Sequence, residues 1–480
     1  MSDRALERLV NGVLWPGFLG RGTPDWVARE RDAGLAGVVL FSQNIGGDPV
    51  DATGGFLVGI DEEGGTVTRM DSARGSDALG AGQLGAIDDE GVTRRAAAEL
   101  ARLSAASGAD VVIAPVADVN TDPRNPVIGT RSFGGSPDLV SRHVAATVRG
   151  LHEAGAVAVP KHFPGHGDTA VDSHHGLPTS GANEQDQREV HLPPFAAAVE
   201  AGAMVIMTAH LVVPAWGPDP ATAQPRALAE LRGLGFTGVI ASDALDMAAM
   251  RSRYGDAAPV RALAAGCDLL CVGNPANPGS SGDDEGDFLT ARSAIVEAVR
   301  TGELPVSRLE DAAGRVAALR GFAREQASVR RPDAPLPDAD VLSLARRAAM
   351  VSGASAANPG PRTVIDARAA ATWAVSSTGS RYAETLARGG AVIDAAEGAA
   401  ADGAGAVVLV DRIADADQRG AIARAARLCP GAVVVNLGVD PVDPVPVPAV
   451  HVRAASRLAV RAADEILAEG WGSEGRPGAP

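Results

Sequence analysis

Ala156-Val157-Ala158-Val159-Pro160-Lys161-His162-Phe163-Pro164-Gly165-His166-Gly167-Asp168-Thr169 runs from an unbroken apolar stretch straight into a polar turn. An apolar run without polar alternation is the pattern of a parallel strand buried on both faces. The same unit recurs along the first two thirds of the chain: a β-branched apolar run, a loop, then an Ala/Arg/Glu-rich helical stretch. Eight such runs predict strands at 13–18, 37–41, 56–60, 111–114, 156–160, 203–208, 238–241 and 268–272. Helical connections between them fit a TIM barrel or an open doubly wound sheet. The residues just past the runs separate the two: Asp61 and Glu62, Asp118 and Asn120, Lys161 and His162, His210, Asp243, Asn274. In a barrel these strand ends form one rim, where active sites sit; an open sheet spreads them along a line. The expected fold is α/β, a TIM (β/α)8-type barrel followed by a smaller α/β sandwich domain.

The boundaries follow from composition. The barrel is expected over 1–326, a linker over 327–345 around a Pro/Asp/Arg-rich stretch, a C-terminal α/β domain over 346–470 and a disordered tail over 471–480. A helix at 339–350 leads into strands at 363–365, 373–375, 391–393, 406–410, 432–435 and 449–452, with helices at 417–428 and 456–469. This alternation predicts a parallel sheet. Residues 42–55 hold four glycines and a proline, which predicts a loop where a barrel helix is due.

Bulk properties remove several classes of function. A net charge of −16 argues against nucleic-acid binding, which needs basic patches for phosphate, and against an anionic membrane surface. No stretch approaches the roughly 18 apolar residues of a membrane span. The first residues alternate charged and apolar side chains without a signal core, and three cysteines (Cys267, Cys271, Cys429) form no even disulfide framework. A cytoplasmic protein is expected, with Cys267 and Cys271 packed in the core.

Lys161 is the sole lysine among 43 Lys and Arg residues. Its ammonium is a compact charge with three rotatable donors, unlike the wide planar guanidinium. Five of nine histidines fall within 162–191, so metal binding must be weighed. Pro164 and Gly165 forbid the helix that would set His162 and His166 on one face, and no familiar zinc spacing lies nearby. No metal or cofactor is expected. In Asp172-Ser173-His174 the outer residues project to one side of an extended segment, so Asp172 can orient the His174 ring and favour its imidazolium. The alternative is a plain surface contact. Asp243 after the seventh run can serve as nucleophile, base or ligand, or as a helix N-cap. Carboxylates, a lysine, arginines and no phosphate loop suit a small polyhydroxylated neutral ligand, and 3% aromatic residues leave little stacking surface for a long polysaccharide.

These motifs together resemble glycoside hydrolase family 3. They are the K-H-F-x-G-H-G-x-x-x-x-D-S-H run from Lys161 to His174, Ile60-Asp61-Glu62-Glu63-Gly64-Gly65, Asn125-Pro126-Val127-Ile128-Gly129-Thr130-Arg131-Ser132-Phe133, and Ser242-Asp243. The first run is similar to that of the bacterial β-N-acetylhexosaminidase branch. The resemblance implies a retaining exo-β-N-acetylglucosaminidase acting on small glycosides or peptidoglycan fragments, with a covalent glycosyl-Asp intermediate. It implies Asp243 as nucleophile, His174 as acid/base and Asp172 as its orienting partner. It implies Asp61, Arg69, Arg131, Lys161 and His162 as sugar-binding residues. Hydrolysis is not distinguished from phosphorolysis, since a His–Asp donor repels phosphate less than a carboxylate; β-glucosidase activity is a further alternative. Alanine at 244, where relatives often carry a second acid, departs from the family pattern. The only expected partner is a small-molecule glycoside; oligomeric state is left open.

Overall fold

The structure, a computed structural model, describes residues 1–169, 176–277, 280–329, 336–368, 379–395 and 406–473. They pack as two compact units, both discontinuous in sequence. The first comprises Met1–Glu62, Glu90–Val119 and Ser136–Ala334; the second comprises Glu63–Asp89, Asn120–Gly135 and Pro335–Pro480.

In the first unit the strands are β1 (Leu14–Pro16), β2 (Gly37–Leu40), β3 (Leu57–Ile60), β4 (Val111–Val112), β5 (Val157–Ala158), β6 (Val205–Met207), β7 (Val239–Ala241) and β8 (Leu270–Gly273). All pair in parallel, in three ladders: β2-β3-β4-β5, β6-β7 and β1-β8. Single bridges link β5 to β6 (Phe163 with Thr208) and β7 to β8 (Ala241 with Leu269). Between β1 and β2 the link is one bond ahead of the strands, from Ala36 N to Asn11 O. Spatial neighbours are thus chain neighbours, and β8 returns to β1, which is barrel order.

The strands lie within the predicted runs, trimmed at their ends or, for β8, carried one residue further. Pro115 and Pro160 lack an N–H and interrupt the ladder beside β4 and β5. Pairing resumes beyond them: Lys161 N donates to Pro115 O and Ala117 N to Lys161 O. That resumed pairing fixes the Lys161 backbone at the rim.

Val39, Leu57, Val111, Val157, Met207 and Val239 belong to one buried cluster that includes Val316 and Leu319 of the helix Val306–Val329. Each such side chain contributes about 1.5–3 kcal/mol by leaving water. Trp15 donates Nε1–H to Leu57 O at 3.0 Å. A Cβ at position 59 would lie 2.1 Å from the Trp15 ring, so this strand requires glycine there. Asp268, fully buried just before β8, accepts from Arg232 (2.6 Å), Arg308 (2.5 Å) and Ile240 N (3.1 Å). Residues 42–55 carry only the short turns Ser42–Asn44 and Thr53–Gly55.

The second unit holds β9 (Met350–Ser352), β10 (Val364–Asp366), β11 (Val392–Asp394), β12 (Val407–Val410), β13 (Val433–Asn436) and β14 (Ala449–His451), in the order β11-β10-β12-β13-β14-β9. Five strands are parallel, as the alternating pattern predicts. The sixth, β9, is antiparallel to β14 and begins at Met350, the last residue of the predicted helix at 339–350. That helix, Asp338–Ala348, stops earlier, and a three-residue edge strand carries too little periodicity to reveal itself. The helices Ala416–Leu428 and Arg457–Glu469 are capped by Asp415, whose side chain accepts from Asp417 N and Gln418 N, and Ser456, which accepts from Ala459 N. The helix Gly379–Ala387 was not predicted. The predicted strand at 373–375, residues 330–335 of the linker and residues 474–480 of the tail lie outside the described residues. Among the described residues no helix is long and apolar enough to cross a membrane.

Candidate active site

Three strand ends of the first unit converge on one polar group. Lys161, 2% exposed, donates from Nζ to Asp61 Oδ1 at 2.5 Å, joining the ends of β5 and β3. One residue on, His162 Nδ1 lies 2.7 Å from Oδ2 of Asp118, which follows β4. Asp118 Oδ1 accepts the backbone N–H of His166 at 2.7 Å and of His162 at 3.3 Å. A single buried carboxylate therefore ties His162 to His166 across the turn.

Burial pushes the Asp118 carboxyl up, but the charges of His162 and His166 and the bonds they donate outweigh it and hold it below the ordinary carboxylate value. An ionised carboxylate only accepts, so His162 Nδ1 carries the proton. Nε2 is then the ring atom that Asp118 does not engage. His162 and His166, the pair weighed for metal, have ring centroids 6.3 Å apart, and His166 Nδ1 is bonded to Thr169 Oγ1 at 2.6 Å.

The turn is closed by packing. Gly165 has φ +118°, and a Cβ there would meet His191 Cβ at 2.8 Å. Gln187 Nε2 donates to Pro164 O at 2.6 Å. Burial lowers the His191 imidazole despite the nearby Asp168, Asp118 and Asp186.

Asp243 stands half-buried after β7, its Oδ1 accepting from Ala244 N at 2.8 Å. It caps no helix: the next one, Ala248–Tyr254, is preceded by Met247. Asp246 accepts instead from Asn274 N (3.2 Å) and Asn277 Nδ2 (3.0 Å) in the loop after β8. Burial pushes the Cys271 thiol well up, and the charges of Asp243, Asp246 and Asp61 push it further. Asp61 follows β3 and Asp243 follows β7; the strands are parallel, so both residues stand at the same end of this unit. Cys267 and Cys271 are buried free thiols.

In the second unit Arg131 is a forked clamp. Its Nε and Nη2 donate to Glu63 Oε2 (2.9 Å) and Oε1 (2.8 Å), and Nη1 to Val127 O (3.1 Å). Asn125 Oδ1 accepts from Val127 N and Ile128 N, both at 2.9 Å, shaping the turn before it. Arg69 is half-buried in the same unit. Asp172 and His174 lie outside the described residues.

Sequence reasoning placed Asp118 and His210 at strand ends but gave them no task. The task of Asp118 shows only once β4 and β5 pair, because its partners are 44 and 48 residues away. Glu63 was read as part of a motif, and its bond to Arg131 spans 68 residues.

Comparison with known proteins places the chain in a family. Residues 53–319 match the glycosyl hydrolase family 3 N-terminal domain. A β-hexosaminidase of Stenotrophomonas maltophilia (strain K279a) is 36% identical over 281 residues, covering 54% of this chain and 83% of that protein. One from Xanthomonas oryzae pv. oryzae (strain KACC10331 / KXO85) is 38% identical over 271 residues, covering 52% and 79%. The structure of a family 3 β-N-acetylglucosaminidase from Paenibacillus sp. str. FPU-7 superposes with a TM-score of 0.80 at 25% identity, covering 98% of this chain and 97% of that one. With that family match over more than half of its length and these relatives, the chain belongs to glycosyl hydrolase family 3 and is a glycoside hydrolase.

Proposed function

We propose that this glycoside hydrolase is a retaining exo-β-N-acetylglucosaminidase that removes terminal β-linked N-acetylhexosamine from small glycosides, peptidoglycan fragments included. The observation that carries the reading is the buried Lys161–Asp61 pair beside the Asp118-held His162, at the barrel end that also bears Asp243. The named activity of the Stenotrophomonas, Xanthomonas and Paenibacillus relatives supports the same sugar.

The proposed chemistry has two steps. Asp243 attacks the anomeric carbon as the glycosidic bond breaks, giving a glycosyl ester, and His174 imidazolium gives its proton to the leaving oxygen. His174, now neutral, takes a proton from water, which attacks the anomeric carbon; the bond from that carbon to the Asp243 oxygen breaks, freeing the carboxylate and the sugar with net retention. Asp172 holds the His174 ring. Lys161, His162 and Asp61 bind the sugar's hydroxyls.

The test is turnover of 4-nitrophenyl N-acetyl-β-glucosaminide by the full chain, with and without phosphate. The reading expects free N-acetylglucosamine in both conditions and loss of turnover in Asp243→Ala. Intact turnover in Asp243→Ala removes the mechanism, and phosphate-dependent formation of sugar 1-phosphate replaces hydrolysis with phosphorolysis.

A further inference from the structure

A buried histidine outside the proposed chemistry reaches the nucleophile's own loop. His210, fully buried after β6, places Nε2 2.8 Å from the carbonyl oxygen of Ala244 and Nδ1 2.8 Å from Thr222 Oγ1. A carbonyl only accepts, so Nε2 carries the proton. In the neutral ring Nδ1 then accepts from the Thr222 hydroxyl, which itself lies 2.8 Å from Thr208 Oγ1. All three side chains are fully buried.

Ala244 is thereby gripped at both ends. Its C=O is held by His210, and its N–H donates to Asp243 Oδ1 at 2.8 Å. The flanking backbone is anchored too: Ser242 N donates to Leu269 O and Leu245 N to Cys271 O. Strands β7 and β8 thus fix the loop on either side, and His210 is the side chain that fixes its middle. The N–H on Oδ1 sets the rotation of the carboxylate, and the carbonyl bond sets where that N–H can be.

We propose that His210 is a positioning residue for Asp243, acting through Ala244. This rests on Asp243 being the nucleophile. A carboxylate must approach the anomeric carbon along a defined line, and a misplacement of about 1 Å costs on the order of a hundredfold in rate.

The test contrasts two amides in the full chain. Glutamine at 210 sets its amide nitrogen where Nε2 was and keeps the donor to Ala244 O. Asparagine reaches only the Nδ1 position and keeps the Thr222 side. For an activated aryl N-acetyl-β-glucosaminide, His210→Asn is expected to lower kcat and kcat/KM about a hundredfold with KM within about twofold. His210→Gln is expected to stay within about fivefold of the parent. Equal losses in the two, no loss in either, or the reverse order overturns the proposal. Should either fail to fold by circular dichroism, Thr222→Val replaces it: a kcat about tenfold lower at unchanged KM supports the idea, and an unchanged kcat overturns it. Asp243→Ala runs alongside. If it stays active, the nucleophile assignment fails; if it is dead while His210→Asn is normal, only the positioning claim fails.

Discussion

Lys161 Nζ and Asp61 Oδ1 lie 2.5 Å apart, with the lysine side chain 3% exposed and the aspartate 20%. The lysine is sealed while its partner keeps a fifth of its side chain exposed, so what this pair shows to solvent is carboxylate. Desolvation of an ammonium is costly unless partnered, and Asp61 supplies that partner.

The first expectation concerns this pair. Lys161→Arg keeps the charge but brings a planar fork that the sealed space around Nζ does not fit. Steady-state kinetics should show KM raised about tenfold, equivalent to about 1.4 kcal/mol, with kcat changed less. Kinetics equal to those of the parent would show that any cation serves at 161.

Asp118→Asn tests the carboxylate that holds the turn. An amide nitrogen facing His162 Nδ1–H leaves two buried donors opposed, or forces the ring into its other tautomer. An unsatisfied buried group costs about 1–3 kcal/mol, so kcat/KM should fall roughly ten- to hundredfold. The folded Asp118 carboxyl titrates below its ordinary value. Its contribution to stability is therefore complete above the ordinary carboxylate pKa of about 4 and is lost as pH falls through the lower folded value. Urea unfolding between pH 7 and 3 should show a steeper acid loss in the parent than in Asp118→Asn; equal slopes would contradict the assignment.

A second titration falls in a different window. His152, at the end of the helix Pro137–Glu153, lies edge-on to Phe322 with ring centroids 5.1 Å apart. Burial lowers its pKa to about 4, against a smaller upward effect of Glu153. Protonation is disfavoured in the fold, so this stability is complete above the unfolded value of about 6.5 and is lost as pH falls from there toward 4. The full difference is on the order of 3 kcal/mol. His152→Gln should flatten the stability curve between pH 6.5 and 4, read by urea midpoints.

Asp268 offers a purely structural control. Three guanidinium groups surround its buried carboxylate, those of Arg232, Arg308 and Arg315. Asp268→Ala leaves three half-buried guanidinium groups without their shared partner and should cost about 2–3 kcal/mol of stability. At temperatures where the variant is folded, KM should be unchanged. A loss of under about 1 kcal/mol would mean the arginines find water instead.

What the chain discloses locally and what it hides divide along physical lines. The runs ending at Ile60, Pro160 and Ala241 are legible because a strand buried on both faces must be apolar throughout. Lys161 stood out because composition isolates it. The partners were not legible. Asp61 is 100 residues from Lys161, and His210 is 34 from Ala244; only parallel pairing brings them together. The packing of 63–89 with the second unit is equally silent in sequence. Its anchors are single polar bonds, such as Ala455 N to Thr66 Oγ1 and Leu458 N to Ser76 O. Strand β9 stayed hidden because three edge residues carry no period.

The last expectation addresses the proton donor. If His174 protonates the leaving oxygen, its removal should matter in proportion to how much help that oxygen needs. For His174→Ala, a 2,4-dinitrophenyl glycoside should lose little in kcat/KM, since its phenolate departs unaided. An alkyl or disaccharide substrate should lose at least about a hundredfold, the low end of the usual contribution of general acid catalysis. Asp172→Asn should show the same dependence on leaving group with smaller losses, because the proton donor itself is retained and only its partner's charge is lost. Parallel losses across all leaving groups would assign His174 to binding and leave the proton source to another residue.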